Sequence, residues 1–325
     1  MRRISTATRV VDKFGTGKDG FTNGDAVAGL PSTDLEDVWF DHVQEEIANV
    51  VEGAGLTLDP ANRSQLLAAI QAMFAPVIGS VRNLRMTVAP GASTGALTAD
   101  EITVGTALGG KKFLLPNFNK TINLAATGPG GMDTGTATAN GFLGLYAMYN
   151  PSAALSATNP CLVGHMEGAS ALTTTYTYAN APAGYIASSL VAVVPISAVA
   201  GQFAAFNMMD RKVQIVAATV YSNSSASSIP LTSITTTAVP YSAKRFQGSL
   251  SLTNSASGSA IFSFYGDANG CGVIQFSLNT QTAGGNLFGL SNIEMATPRT
   301  VRFSTSINGG SPSFQTILYI SGYEF

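Results

Sequence analysis

Residues 249–277 are SLSLTNSASGSAIFSFYGDANGCGVIQFS. Three short runs within this stretch, at 249–253, 261–265 and 273–277, combine serine with β-branched, aromatic or other apolar residues, which is typical of strands. Serine, glycine and asparagine fill the segments between them, and Asn269-Gly270 tolerates the positive backbone angles of a tight turn. The stretch therefore predicts short strands joined by turns.

The same pattern extends outward from this stretch over the chain from about Leu84, with no sustained helical period. The clear strand-like runs are residues 112–115, 142–149, 161–165, 203–207, 213–221, 249–253, 261–265, 273–277, 301–306 and 316–320. Turn signals such as Asn150-Pro151, Asn159-Pro160 and 308–310 separate them. Such strands, without intervening helices or a fixed repeat, favour antiparallel β-sandwich or jelly-roll-like domains over a long β-helix.

Charge is distributed unevenly along the chain. Residues 1–85 hold 8 basic and 11 acidic residues, whereas the other 240 residues hold only 17 of the chain's 36 charges. Two differently built parts follow, and the fold class is mainly β with a short N-terminal helical segment. We predict an attachment arm over 1–33, a helical hairpin over 34–83, a β-rich shaft or first β-sandwich domain over 84–200, and a distal β-sandwich head over 201–325.

The first helix of the hairpin is indicated by its apolar periodicity. Apolar residues recur three and four apart through 35–51, which predicts a helix at about 34–52. Thr33 and Glu36 have the spacing of a capping box, in which each side chain accepts from an early amide of the helix. Gly53 is the predicted left-handed residue that closes the helix.

A second helix is predicted from its own start and stop signals. Asp59 followed by Pro60 matches an N-cap and a first-turn proline. An apolar stripe then continues from Leu66 to Phe74, and Pro76 ends it. The two helices together predict the hairpin.

The N-terminal residues carry a family resemblance. The opening segment from Ile4 to Asp25 is rich in glycine and aspartate, and the hairpin segments 43–50, 58–62 and 65–71 follow it. These residues, with Thr33-Asp-Leu35 and Trp39-Phe40, closely resemble the N-terminal part of tail fibre proteins from phages and prophages of Gram-negative bacteria. The resemblance covers about the first quarter of the chain, and segments such as 145–151, 182–185 and 319–323 resemble fibre heads more loosely.

This resemblance implies a homotrimeric, non-enzymatic virion protein of the tail fibre. Its N-terminal part would dock on phage baseplate or tail proteins, while the distal β-rich part meets the cell surface. The predicted tail-attachment residues are Phe14, Gly15, Gly17, Gly20, Phe21 and Trp39.

Candidate receptor-binding residues combine aromatic rings with neutral hydrogen-bonding groups late in the chain, which suits recognition of a surface polysaccharide such as lipopolysaccharide, or of a pilus. They are Tyr221, Asn223, Tyr241, Tyr265, Asp267, Asn269, Asn286 and Phe288. The alternative for each aromatic ring is packing between strands or between subunits.

Two other functions stay open. A tailspike that cleaves polysaccharide needs two carboxylates across a sugar cleft. The carboxylates available in the β region are Asp100, Glu101, Asp133, Glu167, Asp210, Asp267, Glu294 and Glu324. The second alternative is a structural virion connector without receptor contact.

The net charge of -2 argues against a nucleic-acid partner. No apolar run reaches the length of a membrane span, so no membrane insertion is expected.

No cofactor or metal is predicted. The run 15–20 matches G-x-G-x-x-G, but it lacks the preceding strand and immediate helix of a dinucleotide site. Asp19, Asn23 and Asp25 offer oxygen ligands, yet their spacing lacks the distal glutamate of an EF-hand loop.

The chain has only two histidines and two cysteines. His42 is expected to pack on the apolar side of the first helix. His165 ends a strand beside Glu167, which could either orient its imidazole or simply be solvated with it. Cys161 and Cys271 have neither a CxxC spacing nor clustered histidines, so we expect two buried free thiols.

Overall fold

The structure, a computed structural model, describes residues 2–73, 76–308 and 314–325. The chain divides into two compact units, Met1–Ala75 and Pro76–Phe325. The first contains two helices and an arm held by isolated bridges, and the second consists of β-strands. The prediction of a mainly β chain with a short N-terminal helical segment is confirmed.

The first helix, α1, spans Asp37–Gly53 and begins later than predicted. Its N-cap is Glu36, which makes no side-chain capping hydrogen bond, so the predicted capping box is wrong. Thr33 is used elsewhere: its hydroxyl accepts from the Thr22 amide at 2.8 Å and donates to the Thr8 carbonyl at 3.3 Å. The hydroxyl therefore fastens the arm instead of the helix.

The end of α1 also differs from the prediction. Gly53 is still helical, Ala54 is the C-cap, and the left-handed conformation occurs at Gly55, with φ of 76°. The helix simply runs on to the next glycine that can adopt this conformation.

The second helix, α2, spans Gln65–Met73 and packs against α1. It starts later than predicted, because the Asp59 carboxylate accepts from the Ala61 amide at 2.9 Å and forms a local turn. Phe74, the predicted end of its apolar stripe, lies outside the described residues, as do two of the three residues of the predicted turn 308–310.

The second unit contains all the described strands. They are β1 Val81–Arg82, β2 Arg85–Val88, β3 Thr94–Gly105, β4 Lys112–Thr127, β5 Gly131–Met132, β6 Phe142–Tyr149, β7 Cys161–Met166, β8 Ala187–Pro195, β9 Phe206–Met209, β10 Lys212–Ser225, β11 Ile229–Thr235, β12 Arg245–Asn254, β13 Gly258–Tyr265, β14 Ile274–Thr280, β15 Gly284–Glu294, β16 Thr300–Asn308 and β17 Phe314–Glu324. Each predicted run overlaps one of these strands, although β9 begins three residues later than predicted because Phe203 makes only an isolated bridge with Ile196.

Six of the nine strands before β10 form a sheet that closes on itself. Neighbouring strands pair in the order β3-β4-β5-β7-β6-β8, and a bridge between Gly105 and Ser188 returns from β8 to β3. Pairing is antiparallel except where β5 meets β4 and β7. Side chains of β6 and β8 are almost entirely buried, which places the core of the unit's first part here.

The last eight strands form two facing antiparallel layers, which we call the C-terminal sandwich. One layer has the order β15-β12-β17-β10 and continues into the larger sheet through β9, and the other has the order β11-β16-β13-β14. Aromatic pairs join the layers, with ring centroids 6.1 Å apart for Phe246–Phe264 and 4.7 Å apart for Tyr221–Phe303. Alternating burial along β12 and β17 agrees with one face turned inward.

The two halves of the second unit are tied together by polar contacts that are partly or fully buried. Glu167, after β7, accepts from the amides of Tyr241 and Ser242 at 2.6 and 2.8 Å and from the Ser242 hydroxyl at 2.6 Å. The buried Tyr323 hydroxyl donates to the Val193 carbonyl at 2.7 Å. Residues 76–325 thus form one compact unit, and the division at residue 200 stays a prediction.

Candidate functional site

The C-terminal sandwich separates its charged residues from its uncharged ones. Strands alternate in direction, so the connections 226–228, 255–257 and 281–283 belong to one end. No Asp, Glu, Lys or Arg occurs in residues 213–243, 246–266, 268–293 or 303–323. We call the end formed by these connections the neutral end.

The opposite end, which we call the charged end, carries a row of alternating charges across four strands. Strand pairing places Lys212 opposite Glu324, Glu324 opposite Arg245, and Arg245 opposite Glu294. The Arg245 guanidinium lies 3.2 Å from the Glu294 carboxylate and 3.6 Å from that of Glu324, and the hydrogen bond to Glu294 is the main cause that raises the pKa of Arg245. These pairs are largely exposed, so their stabilising effect is small.

Three of the predicted receptor residues come together in the turn after β13. The Tyr265 hydroxyl lies 3.0 Å from the Ser304 hydroxyl, which fixes the ring at the start of this turn. Asp267 accepts from the amides of Asn269 and Cys271 at 3.0 and 2.8 Å, and the Cys271 amide is the main cause that lowers the pKa of this carboxyl. The turn lies at the charged end.

The other predicted receptor residues are dispersed. Tyr221 and Phe288 are half-buried and point between the layers, with Phe288 5.4 Å from the Phe276 ring. Asn223 and Asn286 lie towards the neutral end of β10 and β15. A role of these residues in receptor binding stays a prediction.

Tyr241, the remaining predicted receptor residue, lies between β11 and β12 and contacts the first half of the unit. Its amide donates to Glu167, and the guanidinium carbon of Arg299 lies 4.1 Å from the centre of its ring. The ring thus takes part in a cation–π contact, which stabilises this connection.

The predicted tail-attachment residues include a structured aromatic contact in the first unit. Phe21 and Trp39 meet edge to face at 5.1 Å, which joins the arm to α1. Phe14 is 66 % exposed. At Gly20, an added Cβ would lie 2.7 Å from the Lys13 side chain and 2.8 Å from the Phe14 ring, so only glycine fits without a shift.

The arm is held by a network centred on Asp19. Arg9 pairs with its carboxylate at 2.5 Å, and the Asp12 amide donates to it at 3.0 Å. The amide contact, followed by Arg9, lowers the pKa of Asp19. Asp25 in turn accepts from the Val27 amide at 2.9 Å. These oxygens, considered above as calcium ligands, are thus engaged with donors of the arm itself.

Apolar side chains of the first unit are mostly exposed. Of residues 2–71, only Ile4, Val51 and Ala69 are buried apolar residues. Large apolar side chains that stay exposed include Leu35, Val38, Ile47, Leu67 and Ile70. His42 is exposed as well, so its predicted packing is wrong, because nothing within the described unit covers that side of α1.

His165 belongs to a cluster with Asp133, Tyr176 and Tyr178 that the sequence did not predict. His165 Nδ1 lies 2.5 Å from Asp133 Oδ2, to which the Tyr176 hydroxyl also donates at 2.8 Å. The His165 ring stacks on Tyr178 at 3.6 Å. The parallel pairing of β5 with β7 creates this contact, and a separation of 32 positions leaves no local signal for it. Asp133, and not Glu167, thus orients the imidazole, while Glu167 binds Tyr241 and Ser242.

Most of the carboxylates considered for polysaccharide cleavage already bind protein groups. Asp133 and Glu167 hold the contacts described above, and Asp210 accepts from the Leu84 amide at 3.2 Å. Glu294 and Glu324 share Arg245.

The part of the chain that the structure describes contains no group of three or more His, Cys, Asp or Glu arranged to hold a metal. No helix there is long and apolar enough to cross a membrane.

The two cysteines have different environments. Cys161 is buried, as predicted, and burial raises the pKa of its thiol to about 12. Cys271 is exposed, so its predicted burial is wrong, because it lies in the turn after β13 instead of in a strand.

Comparison with known proteins finds one similar sequence over part of the chain. A 74-residue stretch is 49% identical to the uncharacterized protein StfP of Escherichia coli K12, covering 23% of this chain and 35% of StfP. This chain therefore matches only about a third of the length of that relative. No model of a known protein family matches the sequence.

Two solved virus structures show a distant likeness. The T13 viral particle of IBDV gives 13% identity and a TM-score of 0.16 over 77% of this chain and 71% of that chain. The Gx strain of infectious bursal disease virus gives 15% identity and a TM-score of 0.17 over 76% and 67% of the two chains. Scores this low do not indicate a shared fold.

Proposed function

We propose that this protein is a phage tail fibre that attaches the virion to the host surface through reversible, multivalent contacts. Its partners are two further copies of itself, baseplate or tail proteins at the N-terminal unit, and a surface polysaccharide such as lipopolysaccharide, or a pilus, at the β-rich unit. The resemblance of the arm and hairpin to tail fibre N-terminal segments supports the attachment role.

The observation that carries the adhesive role is the neutral end of the C-terminal sandwich. Its described connections consist of serine, alanine, glutamine and threonine, without charge. Hydroxyl and amide groups exchange hydrogen bonds with sugar hydroxyls at a smaller desolvation cost than charged groups would incur. Such contacts are individually weak, and repetition in several copies raises the overall affinity through effective concentration.

Trimer formation is supported by the exposed apolar side chains of the first unit. A unit with three buried apolar residues among residues 2–71 has little core of its own. Symmetric copies can cover the apolar sides of α1 and α2 with one another, as closed oligomers do. The absence of charge over long stretches of β10 to β17 limits repulsion between closely packed copies.

The order of the last eight strands supports a jelly-roll-like head. Two four-stranded antiparallel layers, with every chain connection from β10 to β17 except the β13–β14 hairpin crossing between layers, correspond to the layout of that architecture. In this arrangement short connections gather at one end, where they can present a contact surface.

The direct test is binding of the purified full chain to host cells, with oligomeric state measured by light scattering and competition by isolated lipopolysaccharide or pili. We expect a trimer that binds saturably and is displaced by one of the two competitors. Thr282→Glu places a charge at the neutral end and should weaken binding severalfold, whereas Ala154→Glu, in an exposed loop of the first half, should not.

Two results would favour the alternatives. Reducing sugar released from the purified polysaccharide would indicate a depolymerase, and the release should then depend on the carboxylates of the second unit. A correctly folded trimer that binds no permissive host would indicate a structural connector.

A further inference from the structure

A cleft of about 600 Å³ lies at the charged end of the C-terminal sandwich. Its lining includes Arg211, Lys244, Met295 and Phe325, which flank the strands of the β15-β12-β17-β10 layer. Asp267, from the turn after β13, also lines it. The volume is in the range of small-molecule sites, which are concave and combine apolar walls with a few polar groups.

Backbone contacts place two cations on either side of an apolar ring. Arg211 directly precedes β10, Phe325 follows β17, and Lys244 precedes β12. The Phe325 amide donates to the Arg211 carbonyl at 3.4 Å, and the Met295 amide donates to the Lys244 carbonyl at 2.8 Å. Because β17 lies between β10 and β12, Phe325 separates Arg211 from Lys244.

The acidic residues of the cleft are already engaged. Glu294 and Glu324 pair with Arg245, and the Asp267 carboxylate accepts two backbone amides. Neither Arg211 nor Lys244 has a carboxylate within 4.0 Å among the residues that the structure describes. The cleft therefore presents two cations without an acidic partner.

The Arg211 side chain is held in place and is partly buried. One of its terminal nitrogens donates to the Gly79 carbonyl at 2.9 Å, and its guanidinium carbon lies 5.3 Å from the centre of the buried Phe325 ring. Burial lowers the pKa of Arg211, as expected of a cation taken out of water. A fixed guanidinium retains donors that match the geometry of a carboxylate or phosphate, while an exposed lysine supplies a point charge.

We propose that this cleft binds the anionic group of a saccharide, a carboxylate or a phosphate, between Arg211 and Lys244. The inference rests on the proposed function, because a surface polysaccharide would supply the anion. It adds a charged subsite to the adhesion assigned to the neutral end. Gly266 and Cys271, from the turn that holds Asp267, also line the cleft.

The test uses ligand-observed NMR and calorimetry on the full chain with three defined probes: sodium glucuronate, glucose 6-phosphate and glucose. We expect binding of at least one of the two anions, weakened by added salt, and none of neutral glucose. The anion that binds more tightly distinguishes a uronic acid from a sugar phosphate as the natural ligand.

Three substitutions test which side chains bind the anion. Lys244→Gln should weaken anion binding about threefold to tenfold, since it removes one partly screened charge contact. Glu294→Gln should strengthen it, because it removes a competing carboxylate and frees Arg245. Lys111→Gln changes an exposed lysine at the turn before β4 and should have no effect.

Absence of binding by both anions, equal binding of glucose, or an equal effect of Lys111→Gln and Lys244→Gln would overturn the inference. None of these outcomes depends on host cells. A chain that binds cells but no anion would refute the cleft alone, and a chain that binds anions but no cells would refute the adhesive function alone.

Discussion

Among single residues, Glu167 joins the two halves of the second unit. Its two oxygens accept three hydrogen bonds from Tyr241 and Ser242, which lie 74 and 75 positions further along the chain. The Ser242 hydroxyl accepts in turn from the Leu172 amide at 2.9 Å. A single carboxylate thus orders the connection between the two halves of the second unit.

We expect Glu167→Gln to lower the free energy of unfolding of the second unit by about 2 kcal/mol, the usual value for hydrogen bonds to a charged acceptor. Urea unfolding of the full chain, followed by near-ultraviolet circular dichroism, measures the change. Glu101→Gln on β3 is the matched control, because Glu101 makes no ion pair or side-chain hydrogen bond among the described residues. Equal stability of the two variants would contradict the assigned role.

The candidate site could be predicted from the sequence only where its contacts are local. Asn269-Gly270 indicated a turn, and the structure indeed places Tyr265, Asp267 and Asn269 together around it. The cluster of Asp133 with His165 and the cleft between Arg211 and Lys244 were missed, because pairing between distant strands creates both.

Among the structural elements, strands with a uniform composition were predicted best. The run 142–149 matches β6 residue for residue, since aromatic and aliphatic side chains fill both of its buried faces. In contrast β3, with Asp100 and Glu101, and β15, with Gly284, Gly285 and Gly289, were not predicted as strands. Long partner strands hold these segments extended despite their unfavourable composition, so tertiary pairing outweighs local preference.

The irregular pairing of β12 with β17 gives a prediction of its own. At Gly248 the register shifts, and an added Cβ would lie 1.9 Å from the Tyr319 carbonyl oxygen. Backbone cannot move aside as a side chain can, so Gly248→Ala should destabilise the second unit by about 3 kcal/mol.

Thermal unfolding of the full chain checks this value. Gly289→Ala on the neighbouring strand β15 serves as the control, because its added Cβ would have nothing within 4 Å. If Gly248→Ala unfolded at the same temperature as this control, the close approach of the two strands would be refuted.

At the scale of the whole molecule, the second unit contains several buried or half-buried phenol and thiol groups that ionise less readily than usual. Burial raises the pKa of Tyr146, Tyr176 and Tyr323 above the usual range of a phenol, and that of Cys161 to about 12. A group whose pKa is higher in the folded than in the unfolded state stabilises the fold fully below the unfolded pKa, and this stabilisation is lost as pH rises through the folded pKa.

We therefore expect the free energy of unfolding to fall from about pH 9 upward, by about 1.4 kcal/mol per pH unit for each group that ionises only on unfolding. Urea unfolding at several pH values measures the slope, and absorbance at 295 nm reports phenolate formation. Tyr323→Phe should reduce the slope. Titration of all 10 tyrosines near pH 10 with the fold intact would contradict the expectation.

The second unit starts at the end of the sandwich opposite the neutral end, and this arrangement has a mechanical consequence. The second unit begins beside the charged end, where Gly79 accepts from Arg211, while the neutral-end contact with the host is proposed at the other end of the same strands. A pulling force between the virion and a host ligand held at the neutral end would then run parallel to β10, β17 and β12. Their ladder hydrogen bonds would be loaded in shear and share the force together, so the sandwich should resist extension better than a sheet peeled open one bond at a time.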